Sequence, residues 1–537
     1  MSGPDAVVIG AGPNGLVAAN VLADAGWQVV VLEAAASAGG AVRSDRGVDA
    51  AYVHDLFSAF YPLAAASPVI RRMRLEEHGL CWSRAPAAVA HPLPDGRCAV
   101  LAAAPEATAA SLERFAPGDG EAWLRLYRLW QRIGDDLLDC LFTPFPPIRA
   151  GGKLALRLGY AEMLRVARTM LLPARRLGEE EFAGAGGRLL IAGNALHADL
   201  APESALGGGF GWLMCMLGQQ YGFPVPRGGA QALTDALVRR LTARGGVVHC
   251  GQPATEVLVR GGRAAAVRTA DGTLVTARRA VLAAVPAPVL YGRLLRGERL
   301  PGRLREDLRR FQWDFSTVKV DWALSGPIPW RAEGPRAVGT VHLADGVDAL
   351  TLFAAQIAMR QVPSIPFAVL GQMTTADAGR SPEGTESAWA YTHVPQDITG
   401  DAGPDGITGR WDERDREAIA DRLQEQVERY APGFGAAVRA RRILAPPDLE
   451  RLNPALAGGA VNQGTTNLYQ QLVFRPVPGS GRPSTPVPGL YLASASAHPG
   501  GGVHGAPGFN AARTALHARA LAPLDHLRRR RSRPRPS

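Results

Sequence analysis

Residues 6–34 read AVVIGAGPNGLVAANVLADAGWQVVVLEA. Val7–Ile9 is a short apolar strand, and the run Gly10–Gly15 breaks it. Leu16, Ala19 and Leu22 then recur at helical spacing up to Gly26, a residue suited to ending a helix. Val29–Leu32 is a second apolar strand, and Glu33 closes it. Strand, glycine turn, helix and strand in this order form a β-α-β unit. Each glycine in GAGPNG has a separate task. Gly10 makes the tight turn, Gly12 leaves room for a pyrophosphate, and Gly15 lets the helix pack closely. The helix N-terminus offers free N–H groups and the positive end of a dipole to phosphate. Glu33, 18 residues beyond Gly15, is placed to accept hydrogen bonds from a ribose. A dinucleotide ligand is therefore expected.

Outward from this unit, the composition is that of a globular protein. Apolar residues make up 47% and charged residues 20% of the 537, which excludes wholesale disorder, collagen and coiled coil. The length suits one large domain or two to three ordinary ones. The net charge is +10, but six of the arginines responsible lie in the last ten residues, Arg528–Ser537. A basic tail on a near-neutral body makes no case for nucleic acid as a partner. The five cysteines, Cys81, Cys98, Cys140, Cys215 and Cys250, include no C-x-x-C pair, so no metal site is expected. Sparse, unpaired cysteines fit a reducing compartment. MSGPDA runs straight into the first strand, and apolar runs such as Ala349–Met359 are too short to span a membrane. The expected location is cytoplasmic, with peripheral membrane association left open.

From about Arg71 to Met216 the pattern is mostly helical. Between Gly245 and Ala284 it changes to short strands with turns at Gly261-Gly262 and Asp271-Gly272, which reads as a β-meander. Phe315–Leu324 alternates as a strand, Glu413–Tyr430 is an amphipathic helix, and Gly489–Ala495 is a final apolar strand. A glycine-rich turn leads from it into a helix over Asn510–Leu521. The basic stretch Gly151–Arg176 is amphipathic and could touch a membrane surface or gate a lipophilic substrate.

Two further segments narrow the identity of the dinucleotide. SAGGAVRS follows Glu33, with Gly39-Gly40 as a second glycine pair. Near the other end, residues 489–510 read GLYLASASAHPGGGVHGAPGFN. With GFPVPRGGAQALTDAL around Gly228-Gly229, these segments resemble the phytoene desaturase branch of the FAD-dependent amine oxidase superfamily. Within it they are similar to the pyridine nucleotide-disulfide oxidoreductase-domain 2 proteins and the desaturase-type carotenoid ketolases. The resemblance covers nearly the whole chain. It implies an α/β fold with a Rossmann-like FAD-binding domain of the two-dinucleotide-binding type. That domain would comprise 1–70, 222–300 and 485–527. An inserted mixed-sheet and helical substrate domain would comprise 71–221 and 301–484, followed by a disordered basic tail over 528–537.

The resemblance also implies site residues. Gly10, Gly12, Gly15, Glu33, Gly39 and Gly40 would hold FAD. Arg43 would serve where Ala41 replaces a common arginine. Val257, in TEVLV, lies where the family's backbone meets adenine, and Gly502, Val503 and Ala506 would lie beside the isoalloxazine. His498 and His504 fit local hydrogen bonding better than catalysis. Lys319, one of only two lysines in the chain, stands in an apolar strand like the one that carries the flavin-facing lysine of amine oxidases, and is the catalytic candidate. Asp199, Glu203 and Asp321 remain equal candidates for a general base.

The expected activity is that of an FAD-dependent oxidoreductase removing a hydride from a hydrophobic small molecule, with oxygen or a quinone as electron acceptor. Amine oxidase-type C–N oxidation and carotenoid ketolase chemistry are the alternatives, and a flavin-containing interaction protein is the non-enzymatic one. No second strand–GxGxxG–helix unit exists to receive a nicotinamide nucleotide.

Overall fold

The computed structural model describes residues 3–531. Ala6–Ile9 and Val29–Leu32 pair in parallel, joined by the helix Pro13–Asp24. Ala280–Ala283 and then Leu490–Leu492 extend this sheet on one side, and Val247–His249 extends it on the other. The five strands are all parallel; the inner ones are buried on both faces, while the edge strand Val247–His249 is largely exposed. Alternate residues divide between the two faces. Ala6, Val8, Val29, Val31 and Leu282 pack under the helices Pro13–Asp24, Gln231–Thr242 and Ala506–Arg531. Val7, Ile9, Val281, Ala283 and Leu492 pack against an antiparallel three-stranded meander, Ala254–Arg260, Arg263–Thr269 and Leu274–Thr276.

The strand-rich stretch between Gly245 and Ala284 is thus split. Only its middle forms the meander. Its first and last strands join the parallel sheet: Ala280–Ala283 is a short apolar run buried inside it, and Val247–His249 is its exposed edge. All five parallel strands fall within 1–70, 222–300 and 485–527.

A second, seven-stranded sheet runs in the order Val438–Leu444, Ser316–Leu324, Glu386–Val394, Ala368–Gln372, Val338–Leu343, Ala87–Pro92, Cys98–Ala102. Its strands are antiparallel except where Val338–Leu343 meets Ala87–Pro92. Two of these strands correct the helical expectation for residues 71–216. AAVAHP and CAVLA are alanine-rich, and alanine favours helix, but pairing in a buried sheet overrides that weak preference. The remainder of that stretch is helical apart from the short strand Trp82–Ser83 and connecting loops, with Ala185–His197 and Gly207–Tyr221 deeply buried.

On Ser316–Leu324, Val320, Trp322 and Leu324 face the helix Glu413–Tyr430, whose Ala420, Leu423 and Val427 cover them. Thr317, Lys319 and Asp321 face the other way. The last helix begins at Ala506, four residues before the expected start, and runs to Arg531. Residues 528–531 of the expected disordered tail therefore continue that helix, and 532–537 lie outside the described residues.

Charges buried between the two sheets fasten them together. Arg380 is fully buried and pairs with Asp55 and Asp377, each at 3.0 Å. Arg442 bridges Asp45 at 2.7 Å and Asp321 at 2.8 Å. Removing one partner of a buried pair leaves an uncompensated charge. Arg380→Met is expected to cost about 3–5 kcal/mol of stability, read as a lower denaturation midpoint in guanidinium chloride.

Candidate active site

The glycine turn takes the shape its residue types require. Gly10 has φ +95°, in the left-handed region, and a Cβ there would stand 3.1 Å from the Ala284 carbonyl oxygen. At Gly15 a Cβ would collide with the Gly10 carbonyl oxygen at 2.0 Å, so the first helical turn folds directly onto the loop. Gly12 differs. A Cβ there would meet only the Cα of Gly40, at 3.8 Å, and would otherwise project into open space. That space is a cavity of about 500 Å³, a size suited to small ligands.

Several features make the cavity's cradle end fit a dinucleotide. No side chain caps the helix Pro13–Asp24, so its N-terminal dipole faces the cavity without a protein partner. The Asn14 side-chain oxygen is buried and unpaired. Glu33 lines the same cavity and accepts from the backbone N–H of Ala11 at 2.6 Å and of Ala35 at 2.8 Å. A carboxylate has about four acceptor positions, so capacity for ribose hydroxyls remains. Gly40 lies against Gly12, and the Gly39 N–H donates to Ala11 O at 3.0 Å. The second glycine pair thus braces the first loop.

Gly10, Gly12, Gly15, Glu33, Gly40, Lys319, Gly502 and Val503 all line this one cavity. Gly39, Arg43, Val257 and Ala506 do not. Arg43 donates to Gly40 O at 3.0 Å and Leu452 O at 2.6 Å, and lies over the Phe57 ring. Val257 is 2% exposed and packs in the core behind the parallel sheet, while Pro253 and Ala254, just before it, reach the cavity. Ala506 is buried at the start of the last helix.

Of the two histidines in the C-terminal turn, His504 is engaged within the turn and His498 with a distant helix end. His504 Nδ1 accepts from the Ala506 N–H at 3.1 Å, and His498 Nε2 lies 3.0 Å from Thr143 O. Burial lowers both imidazoles to about 4, so both are neutral near pH 7.

Lys319 is 2% exposed. Its ammonium donates to Asp55 O at 2.9 Å, contacts the Asp321 carboxylate, and lies 5.7 Å from the Trp389 ring centroid. Burial lowers its pKa, although Asp321 works to raise it. Burial opposes ionisation of Asp321, but Lys319, His54 and Arg442 together hold its pKa below the usual carboxylate value. Lys319 is thus tethered to an acid and a carbonyl. An ammonium has three donors, so one is left for the cavity it lines. Asp321 is committed to this pairing, and Glu203 pairs with Arg175 at 2.7 Å; neither lines the cavity.

The far wall holds residues that the motifs did not single out. Thr317, Trp389, Tyr391 and His393 line the cavity alongside Asp199 and His197. Thr317 pairs across the sheet with His393, and Lys319 with Tyr391. The sequence does carry a signal for this group. In SAWAYTHV, Trp389, Tyr391 and His393 alternate with small or apolar residues, which puts all three on one face of a strand. Further along the walls, Phe210, Leu213, Met214 and Phe223 add apolar surface from the helices and the following loop.

A family model described as flavin containing amine oxidoreductase matches residues 14–515. Pyridine nucleotide-disulfide oxidoreductase domain-containing protein 2 of Mus musculus is 30% identical, over 95% of this chain and 92% of its own. Hydroxyneurosporene desaturase of Cereibacter sphaeroides is 26% identical, over 93% of this chain and 94% of its own. Among solved structures, an oxidoreductase from Methanosarcina mazei superposes with a TM-score of 0.62 at 14% identity, covering 95% of this chain and 99% of that one. A putrescine oxidase variant superposes with a TM-score of 0.58 at 17% identity, covering 97% and 99%. These structural likenesses show the fold.

A side chain at Gly12 would occupy the open space without disturbing its neighbours. Gly12→Val is therefore expected to fold but to purify without FAD. Circular dichroism like the parent's and an absent flavin absorbance band are the expected readings.

Proposed function

From the premise that the chain belongs to the flavin containing amine oxidoreductase family and is an FAD-dependent oxidoreductase, we propose that it removes two hydrogens from adjacent carbons of a largely apolar small molecule, one as a hydride and the other as a proton released to water, leaving a double bond between them. One observation carries this reading. The cavity that begins at the dinucleotide cradle continues, without a partition, between apolar and aromatic walls supplied by the second sheet and the buried helices. Bound FAD supplies the two-electron chemistry, and the protein supplies binding, orientation and electrostatics.

In this reading the Gly10–Gly15 turn and the uncapped helix hold the pyrophosphate, and Glu33 holds the adenosine ribose. Gly39 and Gly40 keep that loop in place, and Arg43 anchors it to Leu452. Pro253 and Ala254 meet the adenine, with Val257 filling the core behind them. Gly502 and Val503 lie against the isoalloxazine, and Ala506 opens the helix that supports them. Apolar walls such as Leu213, Met214 and Phe223 exclude water and align an apolar substrate. The chain's similarity to a hydroxyneurosporene desaturase supports C–C over C–N dehydrogenation.

Oxygen or a quinone is the proposed acceptor. Lys319 supports oxygen, because its remaining donor and positive charge favour build-up of negative charge on oxygen at the cavity wall.

Peripheral membrane contact is part of the proposal for how an apolar substrate arrives. No helix among the described residues is long and apolar enough to cross a membrane. The helices Ile148–Leu158 and Tyr160–Leu171, however, expose Ile148, Leu156 and Tyr160 at 76%, 89% and 81%. Leu141, on the helix leading into this pair, lines the cavity.

The test is anaerobic mixing of the FAD-loaded protein with a panel of terpenes, polyenes and alkylamines. Loss of flavin absorbance with an unsaturated hydrocarbon, and not with amines, is expected; bleaching by amines alone would overturn the reading. NADH and NADPH are expected to bleach the flavin only slowly, since the sequence carries no second strand–GxGxxG–helix motif.

Lys319→Met is expected to slow reoxidation by oxygen at least tenfold, about 1.4 kcal/mol of barrier. FAD content should stay unchanged, because Arg442 still pairs with Asp321. Reoxidation at the parent's rate would make Lys319 structural and favour a quinone.

A further inference from the structure

The dinucleotide cradle does not explain the polar pair on the far wall. His393 is 1% exposed and Asp199 is 3% exposed, and both line the cavity. His393 Nε2 lies 2.8 Å from Asp199 Oδ1. The two are close but poorly aligned, and neither atom has a hydrogen-bond partner in the protein. The rest of the pair is held firmly. Asn462 Nδ2 donates to Asp199 Oδ2 at 2.5 Å, and His393 Nδ1 lies 3.4 Å from the Thr317 hydroxyl. Asp199 itself has φ +62°, an uncommon conformation for a residue other than glycine. The fold thus places a buried donor and a buried acceptor side by side and leaves both without an aligned partner. Such groups are costly unless something satisfies them.

We propose that the His393–Asp199 pair is a subsite for a neutral hydroxyl, and that the substrate is an apolar molecule carrying one such group. The proposal rests on the cavity being the substrate site. A hydroxyl is both donor and acceptor, so a single group can donate to Asp199 and accept from His393. An ammonium would be repelled by Lys319 on the same sheet face. A carboxylate would be repelled by Asp199, which lines the cavity. The remaining neighbours, Tyr391 and His197, add no competing charge: burial raises the Tyr391 phenol and lowers the His197 imidazole to about 4, so both are neutral. Burial opposes charge on His393 as well, but Asp199 outweighs it and raises the imidazole above its usual value. The pair therefore offers a donor and an acceptor to a group that is both.

The experiment is isothermal titration calorimetry on FAD-loaded protein near neutral pH, with 1-octanol, octylammonium and octanoate as probes. The expected result is that octanol binds saturably and at least tenfold more tightly than either charged probe. In Asp199→Asn and in His393→Phe, octanol should bind at least tenfold more weakly with the FAD-to-protein ratio unchanged. Equal affinity for the three probes, no saturable octanol binding, or unchanged octanol affinity in both variants would overturn the proposal. If the variants do not fold, the three-probe comparison on the parent protein still decides. The readout needs no turnover. Octanol preference in a protein whose flavin no hydride donor bleaches would sustain the subsite while removing the dehydrogenation reading.

Discussion

A chain of buried opposite charges holds the two halves of this protein in register. Asp45 and Asp55 come from the N-terminal unit. Arg380, Asp377, Asp321, Lys319 and Arg442 come from the second sheet and its loops. Asp55 is the centre of the arrangement. Its carboxylate accepts from Ser44, from the Ala230 N–H and from Arg380, and its carbonyl accepts from Lys319. Isolated, any of these charges would be expensive to bury. Together they are satisfied in one geometry only, and the cavity lies beside that geometry. Hydrophobic packing alone would tolerate small slips between the sheets; a network of directed pairs does not.

The same arrangement accounts for the position of Lys319. Its strand alternates, so the valines on either side of it pack in the core while it shares a face with Thr317 and Asp321. Pairing with Glu386–Val394 then brings Tyr391 and His393 to the same wall. A lysine there is tolerated because Asp321 and the Asp55 carbonyl receive it. One ion pair thus serves both to join the domains and to set the charge on the cavity wall.

The two walls of the cavity differ in how much freedom the sequence has. At the cradle, backbone groups face the cavity, and the glycines are constrained because an added Cβ would come as close as 2.0 Å to a neighbouring atom. At the far wall, side chains do it, from a sheet and helices whose registers must only be kept. The fold is shared with a putrescine oxidase, and a fold does not by itself fix the molecule acted on.

The sequence by itself determined the cradle. GAGPNG, Glu33 and the C-terminal glycine turn are local patterns, and the backbone geometry they need is dictated by residues a few positions apart. The α/β class, the dinucleotide and the strand bearing Lys319 were all legible in this way. The two alanine-rich strands, Ala87–Pro92 and Cys98–Ala102, were not, because alanine carries no strand signal until a sheet exists to pair with. The split of the strands between Gly245 and Ala284 was hidden for the same reason. Only the tertiary structure brought His393 to Asp199, 194 positions away in the chain, and tied Lys319 to Asp55. Such pairs have no period and no spacing to read. They exist because two distant strands and the end of a buried helix converge on one cavity, and burial then makes each lone charge depend on the partner that the fold supplies.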